Sequence, residues 1–187
     1  MKLDNLCVDE EGNLKIIDFG CSSTFDPMAP TQTRGICGSD PYIAPEVFAP
    51  RAVYDPRKVD VWALGVIYLA MVSGHFPWEV ARAHDPNYAL YLKYHGRVID
   101  HWLPATSAAS PVVKAMLSID PADRPTIDAV VSSSWITGLR AKAAAATDDA
   151  ALAASPVSAV SAVYAAANPA YSSASAVSSG ISISSGY

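Results

Sequence analysis

The most continuous apolar pattern in the chain covers residues 59–72, where Asp60 is the only charged residue. A helix that is apolar on every side lies either in a membrane or at the centre of a packed core. This run is shorter than the roughly 20 residues that a membrane span needs, and Asp60 falls in its first turn. We therefore predict a central buried helix, with Gly74 as its C-cap, and no membrane span.

Near the N-terminus, two short apolar runs flank the polar, glycine-containing stretch 9–13, a pattern that predicts a β-hairpin. We expect Leu6 to face Ile17 across the hairpin, and Asn5 to face Asp18 at its open end. An amide oxygen and a carboxylate are both hard donors that suit Mg²⁺. Capping of turns by the same two side chains fits the spacing equally well.

Beyond the central run, apolar spacing predicts helices at residues 87–94 and 112–117, and a last helix at 127–134 that is capped by Thr126. The prolines and glycines of residues 35–48 exclude a long helix there. Together these elements describe a mainly α-helical domain with one small hairpin.

The composition changes after residue 138, and residues 139–187 consist largely of alanine and serine. A segment with so few bulky side chains cannot bury enough apolar surface to offset its chain entropy. We therefore expect one folded domain at residues 1–138 and a disordered, low-complexity tail at 139–187.

Charge and cysteine content narrow the class of protein. The net charge of −5 gives no general case for nucleic-acid binding. The three cysteines, Cys7, Cys21 and Cys37, follow no framework spacing, which favours reduced thiols in an intracellular protein. The early charged residues do not resemble a signal peptide. We expect an intracellular, cytoplasmic location.

An ordered set of motifs carries the chemical signal. It comprises Lys-Leu-Asp-Asn at 2–5, Asp-Phe-Gly at 18–20, Ala-Pro-Glu at 44–46, Asp-Val-Trp-Ala-Leu-Gly at 60–65, and Arg124. In this order and at these spacings the set resembles the C-terminal lobe of eukaryotic serine/threonine protein kinases. The resemblance implies a truncated kinase C-lobe fold, and the Gly-Ser-Asp-Pro-Tyr variant is similar to fungal kinases that control plasma-membrane transporters.

The resemblance also implies roles for individual residues. Asn5 and Asp18 match the two Mg²⁺ ligands of the family. Because this Mg²⁺ is bound to the nucleotide, the resemblance also places both residues in the nucleotide site. Lys2 matches the cation that contacts the transferred phosphate. Ser39 matches the hydroxyl that contacts the catalytic lysine and aspartate in serine/threonine kinases. ATP and Mg²⁺ are therefore the implied cofactors.

Other matched positions are structural or regulatory. Glu46 and Arg124 match the buried ion pair of the family, and Asp60 matches the residue that holds the catalytic-loop backbone. Because much of that loop is absent, we expect Asp60 to be buried without its partner. Thr31 and Thr33 are candidate phosphorylation sites in the activation loop.

The family's catalytic loop reads H-R-D-L-K-x-x-N, and its aspartate would precede Met1, so the sequence does not contain it. We therefore expect a kinase fragment that is inactive in isolation and binds ATP and Mg²⁺ weakly or not at all. Two alternatives remain open. One is a pseudokinase-like binding module that presents a peptide shelf from Tyr42 to Glu46 to a protein substrate or partner, and the other is the product of a truncated gene model.

Overall fold

A computed structural model describes residues 1–25 and 32–150, with side chains up to residue 145. The described part is mainly helical and contains one two-stranded antiparallel sheet, which confirms the predicted fold class. The strands are β1 (Leu6–Val8) and β2 (Leu14–Ile16). The helices are α1 (Pro56–Ser73), α2 (Pro86–Tyr94), α3 (Gly96–Trp102), α4 (Ser110–Met116), α5 (Ile127–Val131) and α6 (Ser134–Ala150).

Helix α1 is the predicted central helix, and its ends follow from local chemistry. The Asp55 carboxylate caps the N-terminus by accepting from the Arg57 N–H at 2.9 Å. At the other end Gly74 adopts a φ of 78°, in the left-handed region, and its N–H donates to the Ala70 carbonyl. Eight of its 18 residues are buried, all of them between Val61 and Ala70, and Asp60 is exposed. No helix in residues 1–25 and 32–150 has both the length and the apolar character of a bilayer crossing.

An aromatic cluster fills the core beside α1. Trp62 stacks on Trp78 with ring centres 5.4 Å apart, and Tyr88 and Tyr91 of α2 complete the cluster. Burial raises the pKa of Tyr88 to about 12, so its phenol stays neutral at ordinary pH. The guanidinium of Arg124 lies 4.8 Å from the centre of the Trp62 ring. The cluster therefore joins α1, α2 and the loop that precedes α5.

Arg124 and Glu46 form a bidentate ion pair inside this core. The two hydrogen bonds are 2.6 Å from Nη1 to Oε1 and 2.8 Å from Nη2 to Oε2, and the Arg124 side chain has no exposed surface. Its remaining N–H groups donate to the backbone carbonyls of Ser118, Ile119 and Lys58. One side chain thus connects three chain segments that are distant in sequence.

The C-terminal helices differ from the prediction. The last helix was expected at residues 127–134, but α5 ends at Val131 and α6 begins at Ser134. Helix α6 then continues past residue 138 to Ala150, and the division of the chain at residue 138 stays a prediction. The high helix propensity of alanine explains this extension. Residues 151–187 lie outside the described residues, and their disorder stays a prediction.

Helix α3 was also absent from the prediction. It begins directly after His95, whose φ of 39° turns the chain sharply at the end of α2. A seven-residue helix with a glycine at its start carries too little periodicity to be recognised. Its one buried side chain, Ile99, joins the main core cluster.

Gly65 permits the close contact between α1 and α4. A Cβ atom at this position would lie 2.9 Å from both Cγ and Cδ2 of Leu117, and 3.4 Å from the Cβ of Met116. Leu117 is fully buried, so it has little room to move away. The glycine is therefore required by packing and not by backbone conformation.

We expect Gly65→Ala to lower the free energy of unfolding by about 1–2 kcal/mol, because overpacking outweighs the gain in helix propensity. Gly138→Ala is the matched control, since a Cβ on Gly138 of α6 would meet no atom within 4 Å. The control should raise the same free energy by about 0.5–1 kcal/mol. Urea unfolding followed by circular dichroism measures both variants, and equal effects would contradict the packing argument.

We expect Glu46→Ala to destabilise the chain by about 3 kcal/mol, because it leaves the buried Arg124 charge without its counter-ion. Arg57→Ala breaks the exposed ion pair with Asp55, whose N···O distance is 2.8 Å, and should have a much smaller effect. Thermal unfolding of both variants measures the difference. Similar losses of stability would show that the buried pair has no special weight.

Candidate active site

A cleft of about 360 Å³ lies between the hairpin, the stretch that follows it and the N-terminal end of α1. Lys2, Asn5, Asp18, Ser39 and Asp60 all contribute to its lining. The motif resemblance assigns a role to each of these five residues. They come from four separate segments of the chain. The fold therefore brings them to one place.

The hairpin forms, but its register differs from the prediction by one residue. Leu6 pairs with Ile16, and not with Ile17. The expectation that Asn5 faces Asp18 is therefore wrong, because the Ile17 N–H donates to the Asn5 carbonyl at 2.9 Å instead. The five-residue loop fixes the pairing at the strand ends, which leaves Asp18 one position beyond the partner of Asn5. Both residues nevertheless line the cleft.

Asp18 has an unusual backbone conformation for a residue with a side chain. Its φ is 60°, in the left-handed region that aspartate tolerates better than most residues. The Oδ1 atom accepts a hydrogen bond from the Gly20 N–H at 3.1 Å. A Cβ on Gly20 would also lie 3.1 Å from this oxygen, so glycine leaves room for the carboxylate to fold back over the turn.

Lys2 and Asn5 are held in place by a short 3₁₀ turn, Leu3–Asn5. The Leu3 N–H donates to the hydroxyl oxygen of Tyr42 at 3.3 Å. Tyr42 is 6 % exposed, and burial raises the pKa of its phenol. A buried aromatic ring therefore anchors the segment that carries both residues.

Ser39 also lines the cleft, and it lies immediately before the 3₁₀ turn Asp40–Tyr42. Its backbone carbonyl accepts from the Tyr42 N–H at 3.0 Å, and its hydroxyl does not cap the turn. The indole N–H of Trp78 donates to the Pro41 carbonyl at 3.2 Å and fixes this turn to the core. The Ser39 hydroxyl therefore projects from a firmly held backbone.

Asp60 corrects one expectation. Its side chain is 59 % exposed, so it is not buried without a partner. Its Oδ1 atom lies 3.3 Å from the terminal amine of Met1, which forms an ion pair with it. Asp60 lies near the start of α1 and lines the cleft, outside the buried stretch of the helix from Val61 to Ala70.

The candidate phosphorylation sites are only partly described. Thr33 is half-buried and exchanges backbone hydrogen bonds of 2.9 and 3.1 Å with Tyr54 in an isolated antiparallel bridge. Thr31 lies outside the described residues. Phosphorylation of either residue stays a prediction.

A disulfide between Cys21 and Cys37 is the feature that the sequence analysis missed, and it overturns the expectation of reduced thiols for these two residues. Their Cα atoms are 6.2 Å apart, and Cys21 lines the cleft. Cys7 is free and exposed. Neither bridged cysteine belongs to a spacing motif, so the pairing depends on the path of the chain and has no sequence signal.

The cleft combines the carboxylates of Asp18 and Asp60 with an amide, an ammonium group and a hydroxyl. Magnesium is usually bound by one or two protein oxygens, with phosphate oxygens and waters as its other ligands. Asn5 and Asp18 fit that pattern, and Lys2 supplies a positive charge for an anionic ligand. Within residues 1–25 and 32–150, no group of three or more His, Cys, Asp or Glu side chains converges on one point. The donor set thus suits a cation that is shared with phosphate.

Comparison with known proteins agrees with this geometry. Residues 1–136 match the protein kinase domain family. The chain is 39% identical over 150 residues to the probable serine/threonine-protein kinase HAL5-like of Kluyveromyces lactis, covering 73% of this chain and 19% of the relative. It is 37% identical over 139 residues to the serine/threonine-protein kinase chk1 of Schizosaccharomyces pombe, covering 73% and 27%.

A third relative, the nitrogen permease reactivator protein of Saccharomyces cerevisiae, is 42% identical over 94 residues, covering 49% of this chain and 12% of the relative. The matched part thus spans 12% to 27% of the length of these three proteins. The mainly helical architecture with its small hairpin is that of a kinase C-terminal lobe. With the family match over residues 1–136, it shows that this chain belongs to the protein kinase family.

Proposed function

We propose that this chain is the C-terminal-lobe part of an ATP-dependent protein serine/threonine kinase. The reaction is transfer of the γ-phosphoryl group from Mg-ATP to a hydroxyl group of a protein substrate. The observation that carries the proposal is the convergence of Lys2, Asn5, Asp18 and Ser39 on one cleft. The relatives that are named as serine/threonine kinases support the same reaction.

Asn5 and Asp18 would hold the metal in this proposal. The bound Mg²⁺ neutralises charge on the phosphates of the nucleotide. Asp18 contributes a carboxylate whose Oδ1 is already oriented by the Gly20 N–H. Asn5 contributes an amide oxygen from a turn that is tied to the Tyr42 hydroxyl through Leu3. Asn5 therefore starts from a constrained backbone, and the Asp18 carboxylate starts from a fixed orientation within its own turn. Both constraints lower the entropy cost of binding.

Lys2 and Ser39 would act on the transferred group and its acceptor. The Lys2 ammonium is placed to attract the anionic phosphoryl group, and charge stabilisation of this kind is a large part of phosphoryl transfer. Ser39 lines the same cleft as Lys2. It would orient the lysine and the acceptor hydroxyl.

The 187 residues contain no match to the family's catalytic aspartate, since Lys2 is the first match to the catalytic-loop motif after Met1. We therefore expect this polypeptide, assayed by itself, to bind Mg²⁺ and ATP weakly and to transfer little phosphate. The expectation does not extend to a longer chain that contains it. Proximity and orientation supply much of the rate in such reactions, and one of the orienting groups is missing.

A second candidate function is a binding module that presents the segment from Tyr42 to Glu46. Tyr42, Ile43 and Ala44 are at most 6 % exposed, so the backbone of this shelf is fixed to the core. Phe76 contacts the Tyr42 ring edge-on at 5.2 Å and remains 40 % exposed. A rigid backbone next to an exposed aromatic ring suits an extended segment of a protein substrate or partner.

The setting of the reaction is part of the same proposal. We place the chain inside the cell, in the cytoplasm, where ATP is abundant. The name of one relative refers to the reactivation of a nitrogen permease. It supports a role among fungal kinases that control membrane transporters.

We expect Asp18→Asn to weaken binding of Mn²⁺, used as a paramagnetic substitute for Mg²⁺, by at least about tenfold in the presence of ATP. Asparagine tolerates the left-handed backbone of position 18, so the change removes charge with little effect on conformation. Asp4→Asn is the matched control, because Asp4 is exposed and does not line the cleft. Water-proton relaxation measures binding, and equal affinities in the two variants would contradict the assigned ligand.

A transfer assay with Mg-ATP and a serine-containing peptide tests the expected inactivity. The 187-residue polypeptide should show no more transfer than its Asp18→Asn variant. Turnover that Asp18→Asn abolishes would overturn the inactivity while supporting the kinase reaction.

A further inference from the structure

The Cys21–Cys37 disulfide joins two walls of the candidate active site. Cys21 follows Asp18 by three residues and itself lines the cleft. Cys37 precedes Ser39, another residue that lines the cleft, by two residues. The bridge spans a sequence separation of 16 residues, so it fixes the distance between segments that carry different parts of the proposed chemistry.

The Cys37 side of the bridge is held by other contacts as well. Thr33 exchanges two backbone hydrogen bonds with Tyr54, and the Tyr54 hydroxyl donates to the Gly35 carbonyl. Five and six residues beyond Cys37, the chain enters the core at Tyr42 and Ile43. This wall would keep its position without the disulfide.

Within residues 1–25 and 32–150, the Cys21 side has no comparable support. Residues 18–25 are exposed, and Phe19 has 67 % of its surface in solvent. Among the described residues, the hydrogen bonds of this stretch are internal, from the Ser22 N–H and hydroxyl to the Phe19 carbonyl and from the Gly20 N–H to Asp18. A contact of 5.5 Å between the Arg57 guanidinium and the Phe25 ring reaches outside it. The disulfide is therefore the strongest tie on the stretch that contains Asp18.

Both cysteines are exposed, so a small thiol can reach the bridge. Exposed disulfides exchange with thiols more readily than buried ones. In the cytosol, where the proposed function places this chain, disulfides are usually transient and often sense redox state. A bridge with this exposure in such a compartment is suited to switching and poorly suited to permanent stabilisation.

We propose that Cys21 and Cys37 form a reversible thiol–disulfide modification site, exchanging with the glutathione couple, and that the bridged form holds the Asp18 stretch in the cleft. The thiolate of one glutathione attacks a sulfur of the bridge and forms a mixed disulfide, while the other cysteine leaves as a thiolate. A second glutathione thiolate attacks the mixed disulfide and releases glutathione disulfide. The protein gains two electrons and two protons, and the reverse sequence restores the bridge.

Trypsin separates the three cysteines, which makes the exchange directly measurable. Cys7, Cys21 and Cys37 fall in tryptic peptides 3–15, 16–34 and 35–51. The chain is equilibrated with reduced and oxidised glutathione at ratios from oxidising to cytosol-like, quenched with acid, alkylated and analysed by mass spectrometry. We expect peptides 16–34 and 35–51 to convert together from linked to alkylated within this range. A bridge that stays intact, or stays open, at every ratio would overturn the proposal.

The structural effect is tested by limited digestion with chymotrypsin, which cleaves after exposed phenylalanines such as Phe19 and Phe25. Reduction should speed cleavage in this stretch at least about fivefold, because the bridge closes a loop of intermediate length. Cys21→Ser and Cys37→Ser should match the reduced chain, and Cys7→Ser should match the oxidised one. Equal cleavage rates in oxidised and reduced chain would refute the holding role.

The consequence for catalysis rests on the proposed function, and a separate measurement keeps the two apart. Mn²⁺ binding should weaken on reduction of the unsubstituted chain and should not respond to reduction in Cys21→Ser. Should Asp18→Asn leave Mn²⁺ binding unchanged, the proposed metal site fails, while the exchange and digestion results still decide the redox site. A different result would refute the link between the disulfide and the metal site. In that result, Asp18→Asn weakens Mn²⁺ binding, but reduction of the unsubstituted chain does not.

Discussion

Arg124 carries a permanent positive charge on a side chain that has no access to solvent. A buried charge of this kind is tolerated only when a counter-ion and hydrogen-bond acceptors replace the lost water. Glu46 supplies the counter-ion, and the Trp62 ring covers one face. Backbone carbonyls at the start of α1 and just after the end of α4 accept the other N–H groups. Because these partners come from distant segments, the charge is satisfied only when all of them are assembled.

The assembled core determines how firmly each wall of the cleft is held. Glu46 lies just after the buried segment that contains Tyr42, and the Tyr42 hydroxyl accepts from the Leu3 N–H. The segment with Lys2 and Asn5 is therefore connected to the core through one aromatic ring. In the described part of the chain, the stretch from Asp18 to Phe25 has no such connection. The rigidity of the cleft is thus unequal, and the disulfide lies where the non-covalent support is weakest.

Patterns that depend on local chemistry were predictable from the sequence. Helix α1, its glycine C-cap at Gly74 and the two strands all follow from spacing and turn residues. The predicted hairpin register was wrong by one residue. Short apolar runs allow more than one pairing, whereas the five-residue loop between the strands pairs Leu6 with Ile16. Asp60 was expected to be buried because the family resemblance assigns it an internal role, which does not determine its exposure in this chain.

The features of the site that escaped prediction are set by the path of the chain. Nothing near Cys21 or Cys37 in the sequence indicates that they meet, because their approach depends on how the intervening loop returns to the core. Helix α3 was missed for a different reason, as its short length leaves little periodicity. The convergence of the motif residues on one cleft was predictable only through the family resemblance. The amino-acid composition did not indicate it.

The left-handed backbone at Asp18 restricts what can replace this residue. The backbone conformation favours glycine, asparagine and aspartate, whereas cation binding requires a side-chain oxygen. Only aspartate and asparagine satisfy both demands. The residue type at position 18 is therefore under two independent constraints, one from the backbone conformation and one from cation binding. A residue that disfavours the left-handed backbone changes the conformation of the turn and also removes the ligand. The effect of such a replacement on cation binding therefore does not measure lost coordination alone.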